Sequence, residues 1–153
     1  MGDLIRPREQ SDMPGCVAAL ASVHAADGYP MHWPADPFAW LLPDAEGWVA
    51  ELDGAIVGQV LLTPGSDPET ALLGRLFVTP AGRGHRFGER LIAGALATAA
   101  ERRLTVTLEV VDSGTAAIAL YRRLGWRHTG SGPAPWLRPE DEPTLVHYFA
   151  APH

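Results

Sequence analysis

The chain has 153 residues, a mass of 16.4 kDa, 46% hydrophobic and 20% charged residues, and a formal net charge of −6. These values predict one globular domain over residues 1–153 and exclude collagen-like, low-complexity and charge-driven disordered chains. All 12 basic residues are arginine and Cys16 is the only cysteine, which excludes a P-loop or Schiff-base lysine, an intrachain disulfide and a thiolate zinc site.

The first half of the chain predicts three strands and two helices. The strands are expected at residues 4–7, 48–52 and 55–63, and the helices at residues 12–26 and 37–42. Ser11 is expected to cap the first helix and Gly28 to end it. A loop rich in aromatic residues and prolines follows, and Asp53 and Gly54 form the two-residue turn of a hairpin.

The second half predicts four strands and two helices. The strands are expected at residues 72–78, 106–111, 126–130 and 145–149, and the helices after Gly84 and between Asp112 or Ser113 and Leu124. In the predicted order of elements, a strand–helix–strand–helix segment follows one run of antiparallel strands and precedes another. This order predicts an α+β fold, a mixed and mostly antiparallel sheet flanked by helices.

The loop before the third helix has the features of an anion site. The strand at residues 72–78 runs into Arg83-Gly84-His85-Arg86-Phe87-Gly88, where an amphipathic helix begins. Backbone N–H groups at a helix start are unpaired and partly positive, so they can hold a diphosphate. Arg83 and Arg86 add bidentate donors. The loop is not a dinucleotide fingerprint, because Phe87 stands where the third glycine is needed.

Charge is distributed unevenly along the chain. Residues 75–127 contain nine arginines and four acidic residues, while the chain as a whole is acidic, with a pI of about 5.4. This pattern favours a local polyanion such as a nucleotide phosphate over duplex nucleic acid. The alternative is that the arginines only solvate two helices. The polar start and the absence of an apolar run of ~18 residues predict a cytoplasmic protein without a membrane partner.

Two motifs in this order resemble the GNAT superfamily of N-acetyltransferases. The loop Arg83-Gly84-His85-Arg86-Phe87-Gly88 is similar to the acyl-CoA motif Arg/Gln-x-x-Gly-x-Gly/Ala. Residues 108–126 are similar to the later strand and the Asn-x-x-Ala-x-x-x-Tyr helix of the same superfamily. The resemblance covers residues 4–149. It departs from the pattern at Arg86, which replaces a glycine, and at Gly114, which replaces the usual asparagine.

The resemblance implies that acetyl-CoA binds as co-substrate and that no metal takes part. The implied contacts with acetyl-CoA are Phe77, Val78, Arg83, Gly84, His85, Arg86, Phe87, Gly88, Ser113 and Tyr121. By similarity, the chain around Phe77 and Val78 splays from the following strand and offers backbone groups to the pantetheine and the thioester oxygen.

Two catalytic residues follow from the resemblance. Tyr121 stands where the superfamily places a general acid for the CoA thiolate, and a pKa near ~10 keeps it protonated at neutral pH. The alternative is a core aromatic. Glu109 is the best candidate for a general base, on a strand face opposite Leu108; the alternative is an ordinary solvent-facing glutamate. Cys16 has an apolar helical phase, which favours the core over an acyl-carrying nucleophile.

The amine acceptor is expected, by analogy, at the loop after the first helix. Tyr29, Trp33 and Asp36 would hold a cationic amine by cation–π and ion-pair contacts. The alternative is that these aromatic residues pin the loop to the core.

The predicted function is acetyl-CoA-dependent N-acetylation of a primary amine, on a small molecule or a peptide N-terminus, by direct attack in a ternary complex. One alternative is a non-catalytic CoA-binding or sensory module. Another is a phosphate- or nucleotide-binding protein that shares only the helix start. The sequence is compatible with either a monomer or a homodimer.

Overall fold

A computed structural model describes residues 2–152 and arranges seven strands of this stretch in one mixed sheet. The strands are β1 Asp3–Pro7, β2 Glu46–Leu52, β3 Ala55–Pro64, β4 Thr70–Val78, β5 Thr105–Val111, β6 Arg127–Pro133 and β7 Leu145–Ala150. Their order across the sheet is β1-β2-β3-β4-β5-β7-β6, and only the pairing of β4 with β5 is parallel. The predicted α+β class with a mostly antiparallel sheet is confirmed.

Helices cover both faces of this sheet. They are α1 Met13–Asp27, α2 Pro37–Trp40, α3 Phe87–Glu101 and α4 Thr115–Arg123. Val49 packs with α1, whereas its neighbours Trp48 and Ala50 pack with α3 in a separate core cluster. Because successive strand residues point to opposite faces, α1 and α2 lie on one face and α3 and α4 on the other. None of the helices in the described stretch is long and apolar enough to cross a membrane.

Two of the predicted helix caps are wrong. A 3-10 turn, Gln10–Asp12, precedes α1, so Ser11 falls inside the turn, and the Asp12 carboxylate accepts from the Glu9 N–H at 2.7 Å instead. Helix α4 begins later than predicted, with Gly114 at its N-cap, so neither Asp112 nor Ser113 caps it. The cap of α1 is displaced by the 3-10 turn, and Asp112 contacts His147 on a distant strand instead of capping α4. Local spacing in the sequence reveals neither feature.

The predicted glycine positions agree with the structure. Gly28 ends α1 with φ 71°, in the left-handed region where a side chain would be strained. Asp53 and Gly54 have φ 51° and 85°, as the tight β2–β3 turn requires. Cys16 is fully buried on α1, and this burial raises the pKa of its thiol to about 11. The prediction that Cys16 belongs to the core is therefore confirmed.

The parallel pairing of β4 with β5 is short, and this opens the sheet. The pairs run from Thr70 opposite Thr105 to Leu73 opposite Leu108 and stop there, although β4 continues to Val78. The pairing of β3 with β4 shifts register in the same region, at a bulge that contains Arg75 with φ 48°. The two central strands therefore diverge beyond Leu73 and Leu108, leaving a cleft between them.

Candidate functional site

The predicted splay of the chain around Phe77 and Val78 is confirmed. Residues 74–78 of β4 have no pairing partner on β5, so the backbone groups on this edge face the cleft. The Phe77 side chain is only 4% exposed and packs in the cluster under α1. What Phe77 presents to the cleft is therefore its backbone.

The loop that leads into α3 has a row of free backbone donors. A 3-10 turn, Pro80–Gly82, is capped by the Thr79 hydroxyl, and α3 begins at Phe87. The N–H groups of residues 84–89 have no hydrogen-bond acceptor within residues 2–152. Gly84 and Arg86 both have left-handed backbone conformations, with φ 89° and 59°, and such turns point successive N–H groups into one concavity. This arrangement fits a diphosphate.

The side chains of this loop hold it in place. The exposed Arg83 guanidinium forms an ion pair with Asp27 at the end of α1. His85 Nδ1 lies 3.2 Å from the Arg83 carbonyl oxygen, and its ring stacks on Phe87 at 5.3 Å between centroids. Phe87 itself is 1% exposed, so its contribution to a ligand is confined to the backbone. At Gly88 a Cβ would lie 3.2 Å from Leu120, which shows how closely α3 approaches α4.

Arg86 occupies a position that favours glycine. Its φ of 59° and ψ of 28° are left-handed, and its side chain is exposed. We expect Arg86→Gly to raise the free energy of unfolding by about 1 kcal/mol, because glycine adopts this conformation without steric cost. Urea denaturation of the unliganded protein measures the change.

Arg83→Gly is the matched control for that substitution. Arg83 has φ −70° and ψ 151°, an ordinary extended conformation, so glycine there should lower stability. Equal destabilisation by both substitutions would contradict the cost assigned to Arg86.

The start of α4 explains the glycine that departs from the superfamily pattern. A Cβ at Gly114 would lie 3.1 Å from Val110 Cγ2 and 3.2 Å from the Val111 carbonyl oxygen. An asparagine would therefore require the end of β5 to move. Ser113 is exposed beside it, and the Asp112 carboxylate lies 2.7 Å from His147 Nε2 on β7.

Tyr121 combines core packing with an accessible hydroxyl. It is 6% exposed, and its ring lies 5.6 Å from the ring of Trp126 and 6.2 Å from that of Phe149. Trp126 Nε1 is the only fully buried side-chain nitrogen or oxygen in residues 2–152 without a partner. The Tyr121 hydroxyl also lacks a protein partner there and is not fully buried, so it reaches solvent. Burial, and to a smaller extent Tyr29, raises the pKa of Tyr121.

Glu109 lies on the other side of the cleft from β4. It follows Leu108, the last β5 residue paired with β4, and its side chain is exposed. Leu108 belongs to the core under α3, so Glu109 points to the face that carries α1 and α2. Its cross-strand neighbour on β7 is Tyr148.

The three predicted acceptor residues have different environments. Tyr29 is half-buried, meets Trp40 edge-on at 6.0 Å, and has its pKa raised by burial to about 12. Trp33 is 39% exposed and tilted against His24 at 5.3 Å. Asp36 caps α2, where its Oδ1 accepts from the Ala39 N–H at 3.1 Å. The structure thus gives Asp36 a local structural contact as well.

Sequence reasoning missed two contacts that hold the loop after α1 and the short helix α2 in place. His32 Nε2 lies 3.0 Å from the Asp141 carboxylate, which joins the acceptor loop to the segment between β6 and β7. The Arg138 N–H, and then His32, lower the pKa of Asp141. Arg75 lies with its Cζ 4.2 Å from the Trp40 ring centroid. Each pair is far apart in sequence, so no local spacing signals it.

Comparison with known proteins identifies a family whose members are similar to this chain. Residues 15–126 match the model of the acetyltransferase (GNAT) family. The curated protein "Probable N-acetyltransferase camello" of Xenopus tropicalis is 34% identical over 106 residues, which are 68% of this chain and 45% of that protein. The chain thus spans less than half the length of this curated relative.

Two solved structures share the fold. Ribosomal-protein-S18-alanine N-acetyltransferase from Escherichia coli is 19% identical with a TM-score of 0.77, over 98% of this chain and 93% of its own. The protein yncA from Salmonella typhimurium, solved with its cofactor acetyl-CoA, is 18% identical with a TM-score of 0.75, over 97% of this chain and 93% of its own. At these identities the likeness establishes the fold alone.

Proposed function

Because the chain belongs to the acetyltransferase (GNAT) family, we propose that it transfers the acetyl group of acetyl-CoA to a primary amine. The amine belongs to a small molecule or a peptide N-terminus and attacks directly within a ternary complex. The observation that carries this proposal is the row of free N–H groups at residues 84–89 beside the cleft between β4 and β5.

Acetyl-CoA would bind along this row and into the cleft. The free N–H groups and the guanidinium groups of Arg83 and Arg86 suit a diphosphate, since each donates to an anionic oxygen. The unpaired β4 edge at residues 74–78 suits the pantetheine, whose amides need hydrogen-bond partners. A backbone N–H near Phe77 and Val78 aimed at the thioester oxygen would contribute about 2.7–4 kcal/mol in the transition state.

The transfer needs two proton movements. The bond from the amine nitrogen to the acetyl carbon forms while the carbon–sulfur bond breaks, and the amine loses a proton as the thiolate gains one. Glu109, exposed at the edge of the cleft, accepts the amine proton, directly or through a water. Tyr121 supplies the thiolate proton, because a phenol hydroxyl is protonated at neutral pH.

The weak base restricts the kind of amine. Freeing a lysine-like amine with a pKa of ~10.4 at pH 7 costs about 4.6 kcal/mol, whereas the α-amine of a peptide N-terminus, with a pKa of ~8, costs about 1.4 kcal/mol. A carboxylate base therefore fits an α-amine more easily than a lysine side chain.

A thiol-release assay with acetyl-CoA tests the proposal. The acceptors are α-amino acids, peptides with free N-termini, polyamines and aminoglycosides, and a reaction without amine measures background hydrolysis. We expect thiol release above background with at least one acceptor, and an acetylated amine of matching mass. A protein that binds acetyl-CoA but releases no thiol with any acceptor would be the non-catalytic CoA-binding module instead.

A further inference from the structure

An arginine without a charged partner lies on the α2 side of the cleft. Arg75 sits in the β4 bulge, donates from Nε to the Trp40 carbonyl oxygen at 2.8 Å, and stacks its guanidinium over the Trp40 ring. Its terminal nitrogens have no acceptor within residues 2–152 and are not among the fully buried atoms without partners. They are therefore accessible to solvent on the sheet face that carries α1 and α2.

The position of Arg75 is fixed from behind. The side chain of Gln59 is fully buried, and its Nε2 donates to the Arg75 carbonyl oxygen at 3.2 Å. The same Gln59 accepts from the Arg8 guanidinium at 3.0 Å, and Arg8 also donates to the Leu41 carbonyl oxygen at 2.9 Å. Both the backbone and the side chain of Arg75 are thus held before any ligand arrives, which lowers the entropic cost of binding.

The Arg75 guanidinium forms no ion pair with a carboxylate in residues 2–152, unlike four other arginines. In the described stretch, carboxylates pair with the guanidinium groups of Arg6, Arg83, Arg90 and Arg102, and none pairs with Arg75. A half-buried guanidinium with free donors favours an anionic ligand, because desolvation strengthens its attraction for a carboxylate.

Tyr29 supplies a second donor beside Arg75. Both residues contact the Trp40 ring, Tyr29 at 6.0 Å and the Arg75 guanidinium at 4.2 Å. The Tyr29 hydroxyl also lacks a protein partner in residues 2–152, and its pKa of about 12 keeps it protonated at neutral pH. The Arg75 charge acts on the Tyr29 hydroxyl, so the two groups lie near each other, and both keep donors that no protein acceptor occupies.

The opposite side of the cleft carries a negative charge. Leu73 and Leu108 form the last pair between β4 and β5; Arg75 lies two residues beyond Leu73, and Glu109 one residue beyond Leu108. Both side chains lie on the sheet face that carries α1 and α2, as the contact of Arg75 with Trp40 and the burial of Leu108 on the other face require. The cleft therefore presents a cation on its β4 side and an anion on its β5 side.

We propose that Arg75 binds a carboxylate of the acceptor, so that the acceptor is a small amine with a carboxylate near its amino group, as in a free α-amino acid. Such a zwitterion places its carboxylate at Arg75 and Tyr29 and its amino group toward Glu109. This inference rests on the proposed acetyltransferase function and selects one acceptor class within it. A peptide N-terminus, which the weak base alone would favour, leaves the Arg75 donors without an anion, because its adjacent carbonyl is an uncharged amide.

Matched acceptors test this inference. Initial rates of thiol release are measured with free α-amino acids and with the carboxamide of each. Because the ammonium group of the carboxamide is the more acidic, rates are referred to the concentration of unprotonated amine, and on that basis we expect kcat/KM for the best acid to exceed that for its carboxamide by about 100-fold. Arg75→Met should raise KM for the acid by a similar factor and leave the carboxamide kinetics and the KM for acetyl-CoA unchanged.

Two further variants separate a specific role from general damage. Arg75→Lys keeps the charge and should recover part of the preference for the acid. Arg123→Met, in the last turn of α4, removes an exposed arginine away from the cleft and should retain the whole preference. Calorimetric titration of the amino acid into enzyme saturated with CoA should show binding in the wild type and its loss in Arg75→Met.

The outcomes distinguish this inference from the proposed function. Equal kcat/KM per unprotonated amine for acids and carboxamides, or an unchanged preference in Arg75→Met, would overturn the role of Arg75 while acetyl transfer stands. If no amine is acetylated, the proposed function fails and the titration alone decides. A carboxylate that binds the wild type and not Arg75→Met then supports the site, and the absence of binding to the wild type overturns it.

Discussion

Tyr121→Phe is expected to lower kcat by about 10²–10⁴-fold, the range for loss of a general acid. The phenyl ring keeps the contacts with Trp126 and Phe149, so the variant should remain folded. KM for acetyl-CoA should stay unchanged, because the hydroxyl acts on the departing thiolate and contributes little to ground-state binding. Steady-state thiol release with the best acceptor measures both constants.

Tyr148→Phe provides the matched control for that substitution. Tyr148 lies on β7 opposite Glu109, but its phenol points beside Gly132 and has no assigned part in the transfer. It should keep the wild-type kcat. A Tyr121→Phe enzyme that also keeps the wild-type kcat would show that solvent protonates the thiolate and that Tyr121 serves only the core.

Arg83→Gln is expected to weaken the binding of acetyl-CoA by about 10–100-fold, the range for a lost charge-assisted hydrogen bond to phosphate. The Arg83 guanidinium is exposed next to the free N–H groups of residues 84–89. Calorimetry measures the dissociation constant, and kcat at saturating acetyl-CoA should not change.

A ligand control and a protein control isolate the phosphate contact. An acetyl thioester of pantetheine, which lacks the diphosphate, should react equally well with the wild type and Arg83→Gln. Asp27→Asn removes the present partner of Arg83 and should leave acetyl-CoA affinity unchanged or tighter. Weakening by Asp27→Asn as large as that by Arg83→Gln would instead mean that the ion pair itself maintains the site.

Much of the fold is local in origin and therefore predictable. The hairpin at Asp53 and Gly54 follows from residues that tolerate positive φ, and the end of α1 follows from Gly28. The start of α3 follows from a glycine-bearing loop before an apolar helical stripe. The same stretch contains the free N–H groups, so the candidate phosphate site was predictable as well.

The features that could not be predicted from the sequence depend on contacts between distant parts of the chain. Ser11 has the chemistry of a helix cap, yet the Arg6 and Glu9 contacts of Asp12 favour a preceding 3-10 turn. Asp112 likewise has the chemistry of a cap, yet it pairs with His147 on another strand. The stacking of Arg75 on Trp40 joins positions 35 residues apart, a separation that no helical or strand period encodes.

The central claim is that the residues from Gly84 to Glu89 and the cleft between β4 and β5 bind acetyl-CoA. A crystal structure of the protein with acetyl-CoA tests it most directly. The account predicts diphosphate oxygens within about 2.7–3.2 Å of those backbone nitrogens, and the thioester between β4 and β5 near Phe77 and Val78. A diphosphate bound at any other surface, with this loop in contact only with water, would contradict it.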